Sequence, residues 1–474
     1  MVIEQSGMKN FINVAFANIL SLFVGVLTGL IAPKLLGVEQ FGYWQIFLLY
    51  INYVGLLHFG FNDGIYLRYG HYDYNELPKE RFRSYFAFLT ISQGMIAALL
   101  CIAVYFLVGD KIRFWIFFYV LINLVLINLT TFFAFTNQIT KRFSVYTRLL
   151  VASKVVYILA VLGVFLTSQH VHMQFILIHT IVNVLTLAAY IYKSPDLVFG
   201  PRERVRDTWR DMFKNISIGF FVMIGNFMAL AIIGLDKLFV ERFLTLQDFA
   251  MYSFAAAMIS VVILLLNAVS TAVYPYLARI DNEGILKTLY EKAGRLIFLF
   301  SGLALAGYFV FSFIVEWFLP QYVSALPIAL LLFTTTYLRA KISIIGANYY
   351  KALHLQRQYT FNNILALCLG VVTNAIAIVI YRDNVAIAVA SVVAFHLWYL
   401  YTEEFFKKRM GVNARKETLA NLGLTAVFLL IGFLIESWYI GLIVYILIFL
   451  LIVGLFFFKD IRNMVRKGTG YLLE

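Results

Sequence analysis

Three basic residues lie deep inside apolar stretches of this sequence. Arg339 and Lys341 fall near the middle of one stretch, and Lys154 falls within another. Inserting a basic side chain at the centre of a membrane helix costs about 2.5–3.5 kcal/mol of free energy, so each one requires a partner or a hydrated cavity. A phosphate or diphosphate that must cross hydrocarbon needs such compensating charge. The three residues therefore predict an anion-binding interior.

The two neighbouring cations cannot hold one phosphate side by side. Two residues correspond to about 200° of helix rotation, so Arg339 and Lys341 point to different faces. Arg339 shares its face with Thr335, and either a ligand or a neighbouring helix could accept its hydrogen bonds. Lys154 could instead snorkel to the membrane interface. Arg68, after the second apolar stretch, is a further candidate for contact with a diphosphate.

Uncharged polar residues at membrane depth could form a sugar-binding cavity. Asn10, Asn13 and Ser21 lie on nearly one stripe of the first apolar stretch, and Asn226 and Thr335 lie in later ones. Amides and hydroxyls of this kind bind sugars. They also hold membrane helices together, and that alternative is equally open.

The acidic residues suggest ion coupling rather than a metal site. Asp63, Asp236 and Glu403 fall at the predicted ends of apolar stretches, which makes the deep charge cationic. Asp63 and Asp236 could relay a proton or bind sodium, or they could be solvated caps. Cys101 and Cys368 are too few for a disulfide framework or a thiolate metal site, and the histidines show no metal-binding pairing. We expect no metal and no cofactor.

The elements that position these residues are membrane helices. The chain is 62% hydrophobic and 13% charged, with a mean hydropathy of +0.84. Apolar stretches of about 20 residues, enough for a helix to cross ~30 Å of hydrocarbon, recur along its length. An all-α membrane protein of about fourteen transmembrane helices is predicted. The predicted spans are 10–31, 42–61, 84–108, 114–134, 146–167, 173–192, 215–235, 248–271, 294–319, 328–348, 360–381, 385–405, 418–436 and 438–458.

The basic residues are distributed unevenly between the two sides of these spans. Of the 38 Lys and Arg residues, 29 fall on the side of the termini, 6 on the opposite side and 3 within spans. The positive-inside bias predicts cytoplasmic N- and C-termini. This distribution also accounts for the net charge of +13 without nucleic acid as a partner.

An internal similarity predicts two bundles. Residues 34–43, after the first span, resemble residues 242–251, after the seventh, and six spans separate them. An even number of crossings gives parallel repeats, as in transporters built from two facing bundles. The predicted domains are a six-helix bundle at 1–192, a cytoplasmic linker at 193–214, a second six-helix bundle at 215–405, and two additional helices with a tail at 406–474.

The linker carries an amphipathic pattern. Val205, Trp209, Met212 and Phe213 follow helical spacing, and arginines occupy the other faces. This pattern is typical of a helix lying on an anionic leaflet, although an ordinary positively charged loop would also fit. All seven prolines lie in connectors or near span ends, which predicts unbroken helices.

Short motifs give the chain a resemblance to a known family. They are Lys9-Asn10, residues 33–37 and 41–43, residues 60–64 with Arg68, and Asp236-Lys237 through Tyr252-Ser253. Together they resemble the polysaccharide or O-antigen flippases (Wzx type) of the multidrug, oligosaccharidyl-lipid and polysaccharide exporter superfamily. The resemblance covers the whole chain.

The resemblance implies a substrate, a location and partners. It implies alternating access that moves a polyprenyl-diphosphate-linked oligosaccharide to the outer leaflet of a bacterial inner membrane, for O-antigen, capsule or exopolysaccharide synthesis. Polysaccharide polymerase and chain-length machinery are the protein partners to be tested. A cation-coupled multidrug exporter of the same superfamily is the alternative, and it predicts dependence on Asp63 or Asp236. An enzyme is not expected, because the longest outer connector, residues 236–247, leaves little room for a catalytic domain.

Overall fold

The protein is helical throughout the part that its computed structural model describes, namely Gly25 and residues 29–164, 171–277, 280 and 282–470. No β-strand occurs within these ranges. The helices are α1 (Gly29–His58), α2 (Phe61–Arg68), α3 (Lys79–Leu107), α4 (Lys111–Ile139), α5 (Phe143–Val164), α6 (His172–Lys193), α7 (Val205–Phe243), α8 (Leu246–Leu277), α9 (Glu283–Phe318), α10 (Leu326–Phe333), α11 (Thr336–Ala352), α12 (Gln356–Ile380), α13 (Asn384–Met410), α14 (Arg415–Leu434) and α15 (Trp438–Gly470).

The helix lengths and composition make this a multi-pass membrane protein. Nine of the described helices are long and apolar enough to cross a membrane, and the number rises to 12 if each bent pair counts as one span. The predicted all-helical fold is confirmed. The predicted number of about fourteen spans is not, and most of the first predicted span, 10–31, lies outside the described residues.

The chain divides into two compact units, residues 1–234 and 235–474. Segment 193–214 belongs to the first unit, because Arg83 donates to the carbonyl oxygens of Asp196 and Pro201 and Ser84 donates to that of Glu203. The interpretation of this segment as a linker between two six-helix bundles stays a prediction.

Several helices are broken, so the prediction of unbroken helices is wrong. Three helix pairs bend by more than 40° at short breaks. In the second unit, α10 and α11 meet at 47°, close to Thr334, Thr335 and Thr336. Each threonine hydroxyl donates to the carbonyl oxygen three residues earlier, at 2.5, 2.6 and 2.6 Å. Such back-bonding competes with the helical backbone pattern and bends helices without a proline.

A π-helical turn follows the break. It covers Lys341–Gly346 within α11. A π turn inserts extra backbone into a helix and so rotates the residues that follow it. Face assignments made at a constant 100° per residue therefore fail beyond Lys341.

Glycines allow α2 to pack backbone to backbone against α7 within the first unit. Gly60 has φ +79°, which L side chains rarely adopt, and it precedes α2. A methyl group at Gly64 would overlap the backbone of Asn215, and one at Gly219 would overlap Gly60. The motif at residues 60–64 thus has a physical reason, which is the close approach of two helices.

We expect Gly64→Ala to destabilise the protein. The added methyl group must move the α7 backbone, and overpacking of this kind costs about 1–3 kcal/mol. The melting temperature in detergent should fall. Gly94→Ala is the matched control, because a methyl group at Gly94 in α3 would have no atom within 4 Å. Equal melting temperatures for the two variants would contradict the packing argument.

Candidate functional site

A cavity of about 460 Å³ lies within the first unit, among α1, α4, α5 and α6. Its volume is in the range of small-molecule sites, about 300–1,000 Å³. The wall combines aliphatic and aromatic side chains with hydroxyl, amide, imidazole and ammonium groups. The polar lining residues are Thr130, Thr131, Tyr146, Ser153, Lys154, Tyr157, His179, Asn183, Thr186 and Tyr190.

Lys154 brings positive charge to this cavity. Within the described part of the chain, no aspartate or glutamate lines the wall and Lys154 makes no ion pair. Lys154 interacts electrostatically with His179, whose ring meets Tyr157 edge-on at 6.0 Å. The hydroxyl of Thr130 is buried and has no hydrogen-bond partner among the described residues. A cavity with this composition can hold an anionic group beside polar groups that accept and donate hydrogen bonds.

Most deep asparagines in the described part of the first unit join helices. Asn183 donates to Asn123 at 2.7 Å, and Asn123 donates to Thr180 at 2.7 Å. Asn128 donates to Gln93 at 2.7 Å and also to the carbonyl oxygen of Val54. These bonds connect α1, α3, α4 and α6, so the helix-joining alternative accounts for Asn123 and Asn128. Asn183 belongs both to this network and to the cavity wall.

Arg68 lies in an ion-paired layer rather than at the cavity. Its guanidinium contacts Asp211 Oδ1 at 3.0 Å and Asn215 Oδ1 at 2.6 Å. Arg81 reaches the second oxygen of Asp211 at 3.0 Å and also Glu203 at 3.0 Å. These bonds occupy the guanidinium of Arg68 and join α2 and α3 to the start of α7. The predicted contact of Arg68 with a diphosphate stays a prediction.

The same layer continues at Asp196. Its carboxylate accepts from Tyr74 at 2.7 Å and pairs with Lys79 at 2.9 Å. Burial alone would raise the pKa of Asp196, but these two partners outweigh it and hold the pKa below its usual range. Tyr74 lies between two cations, since the Lys79 ammonium is 3.3 Å and the Arg142 guanidinium 3.8 Å from its ring centre. The contacts tie segment 194–204 to the bundle.

Asp63 lies beside a histidine. His58 Nε2 is 3.6 Å from Asp63 Oδ2, and both side chains are buried. The backbone amide of Gly60 donates to His58 Nδ1 at 3.0 Å, so a neutral His58 ring carries its proton on Nε2, facing Asp63. The pair can hold an additional proton between them. Ion coupling through Asp63 stays a prediction.

In the second unit, Arg339 is enclosed by protein. Its side chain is 9% exposed, Nε donates to Thr335 Oγ1 at 3.0 Å, and the guanidinium centre lies 4.2 Å from the centre of the Phe395 ring. Thr335, which we predicted as a cavity residue, is fully buried and positions this side chain. Arg339 also interacts electrostatically with Asp236.

Asp236 is the acceptor at the centre of this cluster. Tyr252 donates to its carboxylate at 2.7 Å, the backbone amide of Lys237 at 2.8 Å, and Ser391 at 3.5 Å. The side chain is buried, and the helices that supply these contacts are α7, α8 and α13. Asp236 is therefore not a solvated cap. Its predicted role in ion coupling stays a prediction.

Lys341 is paired with an acid, contrary to the expectation that the deep charge is cationic. Its ammonium lies 3.4 Å from Glu403 Oε1 and 4.3 Å from the centre of the Tyr290 ring, and Tyr290 donates to the same oxygen at 2.8 Å. Lys341 is 2% exposed. Glu403 was placed at a span end, but α13 continues to Met410 and brings Glu403 level with Lys341. No sequence signal links Tyr290 to Glu403.

Of the remaining predicted site residues, Asn226 is the one that the structure describes. Asn226 lies on α7 with an exposed side chain. Asn10, Asn13 and Ser21 lie outside the described residues. Within the described part of the chain, no group of three or more His, Cys, Asp or Glu side chains could hold a metal ion.

Two solved membrane transporters share the fold of this chain. The chain superposes on the lipid II flippase MurJ, in an inward closed conformation, with a TM-score of 0.69 and 15% identity, covering 96% of this chain and 100% of that one. It superposes on a MOP superfamily transporter from Pyrococcus furiosus with a TM-score of 0.52 and 12% identity, covering 84% and 94%. No protein family and no curated protein sequence matches the chain.

At these identities the likeness shows a shared fold. The chain is an all-helical, multi-pass membrane protein that has the fold of MurJ.

The Lys341–Glu403 pair gives a prediction about stability. Lys341→Met should leave Glu403, whose side chain is 11% exposed, without its cation, and breaking a pair that is largely removed from water in this way costs about 3–5 kcal/mol. The double variant Lys341→Met with Glu403→Gln should recover much of that loss, because no lone charge remains. Thermal unfolding in detergent measures both.

A surface pair supplies the control. Lys407 and Glu404 are both 48% exposed and lie 3.0 Å apart. Lys407→Met should change the melting temperature little. If Lys341→Met behaved like Lys407→Met, the buried pair would have no structural role.

Proposed function

We propose that this protein is a flippase that moves a polyprenyl-diphosphate-linked oligosaccharide from the cytoplasmic to the outer leaflet of a bacterial inner membrane, by alternating access. The cargo would serve the synthesis of O-antigen, capsule or exopolysaccharide. In this proposal the termini are cytoplasmic, and the polysaccharide polymerase and chain-length machinery receive the product. The chain acts as a transporter and not as an enzyme.

The observation that carries the proposal is the position of Lys154. Its positive charge lines a cavity in which none of the described lining residues is a carboxylate, while Lys341 in the second unit has Glu403 as its partner. An ammonium group in a low-dielectric wall is stabilised by any anion that enters. Hydroxyl and amide groups around it suit the polar substituents of a sugar phosphate. The fold supports transport, since MurJ is a lipid II flippase.

The two buried cations of α11, Arg339 and Lys341, have a different role from Lys154 in this proposal. Arg339 and Asp236 are neighbours, as are Lys341 and Glu403, so the charges compensate each other inside the second unit. We assign Lys154 as the first contact of the diphosphate. Arg339, Lys341 and Arg68 would engage it only after exchanging their present partners.

A cation-coupled multidrug exporter is the second candidate. The observation that favours it is the pair of buried carboxylates, Asp63 beside His58 and Asp236 beside Tyr252. Buried carboxylates can take up a proton or a metal cation. This candidate predicts that Asp63→Asn or Asp236→Asn abolishes resistance to cationic compounds.

Lys154→Gln should reduce surface polysaccharide by about tenfold or more in a bacterial strain that depends on this protein for export. Loss of one charge-assisted contact costs about 1.5–3 kcal/mol, which corresponds to roughly 10–100-fold. Lys154→Arg keeps the charge and should restore part of the export. Surface polysaccharide is measured after confirming equal protein in the membrane.

Lys111→Gln is the matched control, because Lys111 is exposed at the start of α4 and does not line the cavity. Full export with Lys154→Gln would remove Lys154 from the mechanism. Unchanged polysaccharide together with lost resistance to cationic compounds in the Asp63 and Asp236 variants would favour the exporter instead.

A further inference from the structure

The first turns of α7 present two stripes on their outward side. Arg206, Arg210 and Lys214 recur every four residues, and so lie along one stripe of a helix with 3.6 residues per turn. Trp209 and Phe213 form the adjacent stripe. We call these the basic stripe and the aromatic stripe. All five side chains are exposed.

The opposite side of the same turns packs into the first unit. Thr208, Met212 and Asn215 are buried, with exposures of 0%, 3% and 0%, whereas Trp209 is 46% and Phe213 60% exposed. Met212 thus belongs to the core, although the sequence pattern placed it with Trp209 and Phe213. The described residues thus leave about half of each of these two large aromatic side chains uncovered.

The acidic side chains of residues 194–214 lie mostly on the inward side of this part of the chain, and the basic ones mostly on the outward side. Of its acids, Asp196, Glu203 and Asp211 are turned toward the unit and pair with Lys79, Arg81 or Arg68.

Arg206, Arg210 and Lys214 make no ion pair among the described residues. Asp207 is the acid that is exposed on these turns. Arg202 and Arg204, just before the helix, are exposed as well. The outward side therefore carries a net positive charge that the fold does not neutralise.

The sequence of α7 places these stripes at the boundary of the membrane. Directly after Lys214 and Asn215, the helix becomes apolar from Ile216 onward. Phe220 and Phe221, on the next exposed turn, are 38% and 77% exposed. Basic side chains immediately before a membrane span lie at the depth of lipid phosphates, and tryptophan prefers the same interface.

We propose that the basic and aromatic stripes of α7 form a binding site for the headgroups of anionic phospholipids. The guanidinium and ammonium groups bind lipid phosphates, and Trp209 and Phe213 insert between the headgroups and the upper acyl chains. The Arg210 guanidinium lies 5.7 Å from the Trp209 ring centre. A group that binds phosphate and a ring that inserts into the membrane are therefore adjacent. This site goes beyond the proposed function and does not depend on the cargo.

The site can be tested with Trp209 as the probe in the full-length protein. The protein is reconstituted in phosphatidylcholine vesicles that contain the same small fraction of brominated phosphatidylglycerol or brominated phosphatidylcholine. Because the chain has 6 tryptophans, the Trp209 signal is the difference between wild type and Trp209→Phe. We expect stronger quenching by the brominated phosphatidylglycerol, and we expect high salt to abolish the preference.

The variant Arg206→Gln, Arg210→Gln, Lys214→Gln should lose the preference. Each basic residue near an anionic surface contributes about 1 kcal/mol, so the enrichment should fall by roughly fivefold per charge removed. The matched control, Lys351→Gln, Arg357→Gln, Lys416→Gln, removes the same charge from exposed positions on α11, α12 and α14 and should behave like wild type.

Three results would overturn the site. They are equal quenching by both lipids in wild type, quenching by neither, and an unchanged preference in the variant that lacks the basic stripe. A loss of preference in the control variant would also overturn it, since overall charge rather than the basic stripe would then attract the lipid.

Discussion

An ionised side chain in a membrane protein must replace the water it has lost, and the polar interior of both units follows from that requirement. In the second unit the replacement comes from the protein. Glu403 and Tyr290 surround Lys341, and Thr335, Phe395 and Asp236 surround Arg339. In the first unit Lys154 lines a cavity instead. The cost of an ionised side chain is thus met in two ways, and in our proposal an anionic cargo is the partner of Lys154 in the cavity.

The helices are bent where this arrangement requires it. The hydroxyl groups of Thr334, Thr335 and Thr336 bond to backbone carbonyl oxygens and so compete with the helical hydrogen bonds between α10 and α11. The π turn that begins at Lys341 rotates the residues that follow it. Bends and π turns are often found at functional positions in helices. Arg339 and Lys341 follow the break, and each lies near an acid on another helix, Asp236 on α7 and Glu403 on α13.

The first turns of α7 have an inward side and an outward side that meet different environments. Its inward side contributes Asp211 to an ion-paired layer with Arg68 and Arg81, while its outward side leaves three basic residues and two aromatic rings uncovered. Asp211 fixes the segment to its unit, and three cations against one exposed acid, Asp207, leave the outward side with a net positive charge. This sorting also explains why a sequence that reads as a basic linker packs as part of a compact unit.

The sequence by itself determined the membrane environment, the helical class and the identity of the costly buried charges, because hydropathy and helix length act locally. It also indicated the amphipathic start of α7, except that Met212 faces the core. The number of spans, the breaks without proline, and the pairing of Lys341 with Glu403 did not follow from it. Depth along a single helix does not show which side chains from other helices reach the same level.

Only the tertiary structure decided that Lys341 is compensated and that Lys154 lines an open cavity, because the partner of a buried charge is chosen by packing between helices that are far apart in the chain.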